Sequence, residues 1–478
     1  MLLQVAVAFF VILKLVYGVV VPPNGDEAYY FLWGGHLQLS YYDHGPMVGW
    51  ASAIGRALFG WTPAGLHFPA FASFVAMAFA VHRASRWIAP DWPEHYFWTF
   101  LLLFTASPLL TALTTVNFPD HMLIWFGSVA LLQLGKFLNG VFAEAERPAD
   151  LYLGAAFLGL AGLSKYSAVF IAAGLLIVLI AEPRLRRLFR SPHLYLAGAL
   201  CLVIVSPVLI WNLQNHFASV ELHAEERISG PVDEFMPLSF VRVAVASILS
   251  FAPLLMWGFC RFIFGGIPDR QQSGLVVLAR GTAIVSTLFF LPLSAWGGIG
   301  RQVAPHWLVL SFLPFVLVAP LYVRSRVIIA LHTAWGALII GLAVVYFVGA
   351  PVVTGMLNMS DGEAVRTFGQ DQLAAAAAEA ATTYDAVLIL VPGYVHAARF
   401  AFGLGTDANV SDFGGRVDRL AGRQFTAADA GKTMILVGKA DGLASHFDSV
   451  EPIGRVETTR FGKPLSGYDL AVGHGFRP

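Results

Sequence analysis

The chain has 478 residues, of which 57% are hydrophobic and 13% charged, with 30 basic and 30 acidic residues and a mean hydropathy of +0.67. A water-soluble domain carries about 25% charged residues, so most side chains here face a medium other than water. With no basic excess and no block of like charge, nucleic acid is excluded as a partner.

Met1–Val21 is apolar but has no basic leader and no small-residue cleavage site before Val21-Pro22-Pro23, so it reads as a first, retained membrane span. A spanning helix needs about 20 apolar residues. That measure predicts eleven spans, at roughly 2–21, 65–82, 97–114, 118–138, 151–164, 166–181, 194–211, 237–260, 276–293, 304–322 and 327–350. Only Ser164-Lys165-Tyr166 separates the fifth from the sixth, which predicts a tight helical hairpin. Cys201 and Cys260 lie inside apolar runs and read as small buried residues, not as a disulfide or a metal site.

Lysine and arginine mark the retained side of a membrane. With a cytoplasmic N-terminus, one set of short loops holds thirteen of them, among them Arg83, Arg86, Lys136, Arg184, Arg187 and Arg324, and the opposite set holds four, Arg56, Lys165, Arg227 and Arg301. The loop after the first span and the C-terminal tail are therefore expected outside the cytoplasm. Those outward loops are rich in acids, including Asp26, Glu27, Asp43 and Asp120. Topology does not need them there, and charge beside lipid is costly.

From about residue 351 the apolar runs shorten. Ala386–Val391 and Thr433–Val437 look like buried strands, with helices expected at Leu373–Ala381 and Val395–Phe402. The predicted architecture is an all-α polytopic membrane bundle over 1–350, with a first outer loop at 22–64, and a small α/β domain over 351–478. No internal repeat is visible.

Three stretches could carry chemistry. Asp26 and Glu27 sit side by side where the chain leaves the first span, ahead of a short helix expected over Glu27–His36. Acids suit a helix N-terminus, yet capping needs only one. A carboxylate at a lipid–water boundary also serves as a general base. Asp43-His44-Gly45-Pro46 exposes an acid and an imidazole at a turn, able to bind a metal, hold a phosphate or cap the following helix, although the spacing is not that of a zinc site. Asp120-His121 follows Pro119 on the same membrane face. The cations available there are Lys165, Arg227 and Arg301, with His306 in Pro305-His306-Trp307. Lys14, inside the first span, has no assigned role.

Asp26-Glu27-Ala28-Tyr29-Tyr30 followed by Leu39-Ser40-Tyr41-Tyr42-Asp43-His44-Gly45-Pro46 resembles the first periplasmic loop of the bacterial membrane glycosyltransferases related to protein O-mannosyltransferases. The aminoarabinose transferases that modify lipid A are in that group. The hairpin Gly159-Leu160-Ala161-Gly162-Leu163-Ser164-Lys165-Tyr166, the segment Pro207–Asn212 and Pro305-His306-Trp307 resemble members as well, so the likeness runs from about residue 20 to 320. It implies a GT-C fold in a bacterial inner membrane, a polyprenyl-phosphate sugar donor and an envelope acceptor. Lipid A or another glycolipid comes first as acceptor, and a protein or polysaccharide next. Asp26 matches the acid that serves these enzymes as candidate base, with Glu27 beside it. Asp43-His44 falls where aminoarabinose transferases carry an acid followed by lysine, a departure that leaves position 44 open. Asp120 matches a second acid near a metal or the donor phosphate, so Asp43 and Asp120 are the candidates for a divalent metal if one is used. Lys165, Arg301 and His306 are the expected phosphate partners. The competing reading from another class is a transporter or lipid flippase, against which stands the crowding of polar groups at one mouth without a repeat.

Overall fold

A computed structural model describes residues 1–222, 235–268, 272–297, 302–356, 366–412, 427–438 and 443–477. Packing divides the chain into two compact units. One comprises Met1–Lys14, Gln38–Met47 and Ala70–Gly341; the other comprises Leu15–Leu37, Val48–Pro69 and Leu342–Pro478.

Residues 2–164 fold into eight α-helices: α1 (Leu2–Val20), α2 (Glu27–Trp33), α3 (Met47–Phe59), α4 (Pro63–Ile88), α5 (Pro93–Thr105), α6 (Pro108–Leu113), α7 (Pro119–Phe142) and α8 (Pro148–Ser164). Pro93, Pro108, Pro119, Pro148, Pro192 and Pro237 each stand in the first turn of a helix. There the missing N–H costs nothing and the fixed φ favours the turn.

In the first unit α7 is the centre. It packs on α8 and on helix Ser273–Leu293, which in turn packs on Val169–Ala181 and Val309–Tyr322. Of the apolar stretches of α7 and Pro305–Tyr322, 83% is inside the protein; for Pro192–Gln214 and Arg326–Gly349 the share is 17%. The latter two present Leu202, Val203, Leu209, Leu331 and Leu338 outward, as helices facing lipid do. Among the described residues seven helices are long and apolar enough to cross a membrane, or nine when each bent pair counts as one span. This is a multi-pass membrane protein; the expected count of eleven is not reached on this measure. The stretch expected as one span at 97–114 is broken into α5 and α6 at Ala106-Ser107, because Pro108 supplies no N–H. Hydroxyls take up the freed carbonyls: Ser107 donates to the Leu103 oxygen at 2.8 Å and Thr111 to the Thr105 oxygen at 2.7 Å. Similarly, 237–260 bends by 90° between Pro237–Phe251 and Pro253–Phe264.

In the second unit the expected α/β domain has a five-stranded sheet of order β2-β1-β3-β5-β4, made of β1 (Leu388–Val391), β2 (Val410–Asp412), β3 (Met434–Val437), β4 (Ser449–Arg460) and β5 (Lys463–His474). β1 is parallel to β2 and β3, while β5 is antiparallel to β3 and β4. Helices Gln370–Thr383 and Tyr394–Leu404 pack together and against the sheet, at the places where the sequence predicts Leu373–Ala381 and Val395–Phe402. The long β4–β5 hairpin is absent from the sequence reading. It turns on Phe461 and Gly462, both at positive φ.

Helices in lipid are held by close contact between small residues. A Cβ added at Gly174 would lie 2.6 Å from the backbone nitrogen and the hydroxyl of Thr282. Gly174→Val is therefore expected to cost about 1–3 kcal/mol, seen as a lower unfolding midpoint of the detergent-solubilised protein.

Candidate functional site

In the second unit Asp26 immediately precedes α2 and Glu27 opens it, yet no side chain caps the helix. The structure separates the two acids. Glu27 is fully buried, with Oε1 3.1 Å from Nε2 of His67 and Oε2 accepting the Asn24 N–H at 3.0 Å. The other ring nitrogen of His67 faces the carbonyls of Gly18 and Pro63 at 3.0 and 2.9 Å. Both ring nitrogens of His67 thus lie close to oxygen atoms of the protein. Glu27 is a locked member of the wall. Asp26 is half-buried, and the hydroxyl of Tyr394 donates to its Oδ1 at 3.3 Å.

Aromatic rings cluster on α2 and around Tyr394. Tyr29 meets Tyr394 and Trp33 edge-on, with centroids 5.1 and 5.2 Å apart, and Tyr30 meets Trp33 at 5.0 Å. Arg399, itself buried, donates to the Gly25 carbonyl at 3.4 Å; Gly25 lies at φ 49°, where a residue without Cβ is least strained. Beyond the far end of α2, His36 Nε2 lies 2.6 Å from Oδ2 of Asp407. The hydrogen bond to Asp407 holds the imidazole above its ordinary 6.5, and the same bond holds the Asp407 carboxyl below its ordinary 3.8.

In the first unit Asp120 stands in the first turn of α7 and is 2% exposed. Lys165 approaches it with Nζ 2.7 and 2.9 Å from the two carboxylate oxygens. The sequence offers these two as separate candidates, and the structure joins them. Lys165 reaches its partner because α8 ends at Ser164 and residue 165 is extended, at φ −153° and ψ 135°, before a short turn over Tyr166–Ala168. The turn carrying Asp43 and His44 is closed by the Tyr41 N–H donating to the His44 carbonyl at 3.1 Å. It abuts the end of α8, where a Cβ at Gly45 would run into the Leu163 carbonyl. Asp43 is 7% exposed, and burial pushes the neighbouring Tyr41 hydroxyl up to about 12, so it stays a donor.

His121 follows Asp120 and is fully buried. The Ser73 hydroxyl donates to the Ala70 carbonyl at 2.9 Å and so accepts from Nδ1 of His121 at 3.0 Å. Nε2 then carries a lone pair, with no hydrogen-bond partner among the described residues. Lys14, 4% exposed, donates to the Thr114 carbonyl at 2.7 Å, the hydroxyls of Thr114 and Thr115 at 2.9 Å each, and the Thr111 carbonyl at 3.2 Å. It ties α1 to the segment that leads into Asp120. His306 is half-buried in the turn Pro305–Leu308 beside Trp307, and Arg301 lies outside the described residues.

Among the described residues no three His, Cys, Asp or Glu side chains form a metal-binding group, and both oxygens of Asp120 are engaged by Lys165. The donor set does not fit a resident metal on Asp43 and Asp120. Sequence reasoning missed His67, Tyr394 and Asp407. For His67 a signal existed, an ionisable residue inside an apolar run; for the other two there was none.

Comparison with known proteins agrees with the resemblance read from the first loop. Residues 43–211 match the family model of the dolichyl-phosphate-mannose-protein mannosyltransferases. Over 279 residues the chain is 28% identical to lipid A galacturonosyltransferase RgtD of Rhizobium johnstonii, a match that covers 55% of this chain and 54% of that protein. The chain thus spans about half the length of that curated relative. ArnT from Cupriavidus metallidurans has the same fold over 98% of this chain and 97% of its own, at 15% identity, with TM-scores of 0.63 in the apo state and 0.65 bound to undecaprenyl phosphate. The fold is GT-C.

Two outcomes follow from this geometry. Asp120→Asn and Lys165→Met each strand a largely buried charge and should each cost about 3–5 kcal/mol, while the double variant costs less than their sum; unfolding midpoints of the four proteins measure the coupling. His36→Gln removes a pair that stabilises in a bounded window. The histidine, held high, contributes fully below its ordinary 6.5 and loses its contribution as pH rises through the raised value; the acid, held low, contributes above its ordinary 3.8 and loses it as pH falls through the lowered value. The stability gap between wild type and His36→Gln should be widest between those two ordinary values and narrow toward alkaline pH, measured as midpoints across a pH series.

Proposed function

We propose that this chain is an inverting glycosyltransferase that moves a sugar from polyprenyl phosphate to an envelope glycolipid of the lipid A class, at the periplasmic face of the bacterial inner membrane. One observation carries the reading: of two adjacent carboxylates at the start of α2, Glu27 is buried against His67, while Asp26 stays half-buried and accepts from the Tyr394 hydroxyl. The lipid A galacturonosyltransferase activity for which the Rhizobium relative is named and the undecaprenyl phosphate bound to ArnT support the choice of acceptor and donor. The thirteen-to-four split of basic residues supports a cytoplasmic N-terminus, with 1–350 as the membrane domain and 351–478 outside.

Asp26 accepts the proton of the acceptor hydroxyl as its oxygen attacks the anomeric carbon. The new C–O bond forms on the face opposite the departing phosphate, so the anomeric centre inverts. The bond from carbon to the phosphate oxygen breaks with its electron pair, and polyprenyl phosphate leaves. Lys165 meets the growing negative charge: two of its three N–H groups go to Asp120, and the third is offered to a phosphate oxygen. Arg301, His306, Asp43 and His44 are the further residues we assign to donor or substrate binding.

The test compares neighbours. With membranes containing a labelled polyprenyl-phosphate sugar and matched protein levels, Asp26→Asn should lower transfer by about 10²–10⁴-fold while keeping the unfolding midpoint. Glu27→Gln should instead lower stability by about 3–5 kcal/mol, as the loss of one partner of a buried pair does. Full transfer by Asp26→Asn would remove the base from this mechanism.

A further inference from the structure

We propose that the C-terminal domain is a positioning device for the base: helix Tyr394–Leu404 grips α2 along its length, and Tyr394 orients the Asp26 carboxylate. The inference rests on Asp26 being the base.

Three contacts in register support it. At the start of α2, Tyr394 donates to Asp26 Oδ1 at 3.3 Å and Arg399 to the Gly25 carbonyl at 3.4 Å. Midway, Phe402 packs with Phe31, Leu66 and Trp61, the rings of Phe31 and Phe402 lying 5.4 Å apart. Past the end of α2, Asp407 pairs with His36 at 2.6 Å. Residues 26, 31 and 36 thus meet 394, 402 and 407 in the same order, so α2 and its flanks are held at three places.

The gripping helix is itself anchored. It follows β1 through Pro392 and Gly393; Gly393 lies at φ 84° and its N–H donates to the Asp412 carboxylate of β2 at 2.9 Å. On its other side a Cβ at Gly403 would sit 2.6 Å from the backbone of Gln370, so helix Gln370–Thr383 bears directly on it. At its end Gly405, at φ 75°, turns the chain toward Asp407. The sheet therefore sets Gly393, Gly393 sets Tyr394, and Tyr394 sets Asp26. A hydroxyl donating to a carboxylate restricts its rotation and favours its ionised form, which is what a general base needs.

The experiment measures transfer from a polyprenyl-phosphate sugar pool across a pH series, with the full-length protein in membranes. Tyr394→Phe keeps the ring against Tyr29 and removes only the hydroxyl. The expected result is a drop in kcat of about tenfold, an unchanged KM for the donor, and an acid limb of the rate profile moved to higher pH. That movement arises because the carboxylate has lost a donor that favours its charge, and loosened packing would not produce it. Asp407→Asn, at the opposite end of α2, should lower kcat with the acid limb in place. Wild-type kcat and pH profile in Tyr394→Phe overturn the positioning role, and wild-type kcat in Asp407→Asn overturns the grip. Asp26→Asn run alongside separates the two ideas: if it transfers normally, the reading of Asp26 as base fails; if it is inactive while Tyr394→Phe is unaffected, the positioning inference alone fails.

Discussion

Hydrocarbon supplies no water to a polar group, so every N–H, carbonyl or charge taken into the membrane must find its partner within the protein. This constraint shapes the first unit. Pro108 breaks a helix among apolar residues, and the break persists because Ser107 and Thr111 hydroxyls reach the carbonyls it frees. Lys14 is tolerated in α1 because the end of α6 offers four oxygens, two of them carbonyls at the negative end of a helix. Tyr96 likewise finds the Leu317 carbonyl. Each partner lies on a different helix from its donor, so satisfying these groups selects which helices become neighbours. Apolar packing, by contrast, is nearly as favourable against lipid as against protein.

The same constraint explains what the sequence could tell. Apolar length marks the spans, and prolines mark where many helices begin. The buried strands β1 and β3 are legible because all four residues of each are apolar and buried. β4 is not legible: nearly all of it is exposed to some degree, and Pro452 and Gly454 interrupt it where the register slips. Hydropathy also runs spans together, since it registers Ser107-Pro108 as a small dip and not as a break in the hydrogen-bond ladder.

The candidate site was legible in its acids and illegible in its pairings. Asp26, Glu27, Asp43, Asp120 and Lys165 stand out as polar residues at apolar boundaries. Whether a given acid is locked or partly open depends on partners whose register the sequence does not state. His67 lies in the run Leu66-His67-Phe68, where only the helical phase of α4 decides that it faces Glu27. Tyr394 is separated from Asp26 by 368 positions, and no local pattern links them.

The two buried acid–base pairs look alike but differ in what they can do. Glu27 takes the Asn24 N–H on one oxygen and turns the other to His67, whose second ring nitrogen faces the carbonyls of Gly18 and Pro63, so this pair joins α2 to α4 and to the end of α1. Asp120 and Lys165 are built differently: both carboxylate oxygens go to one ammonium, at 2.7 and 2.9 Å, and an ammonium has three N–H groups. The first pair closes on the protein at each of these atoms; the second holds a cation in a fixed orientation, which is what the proposed function asks of the group that meets a departing phosphate.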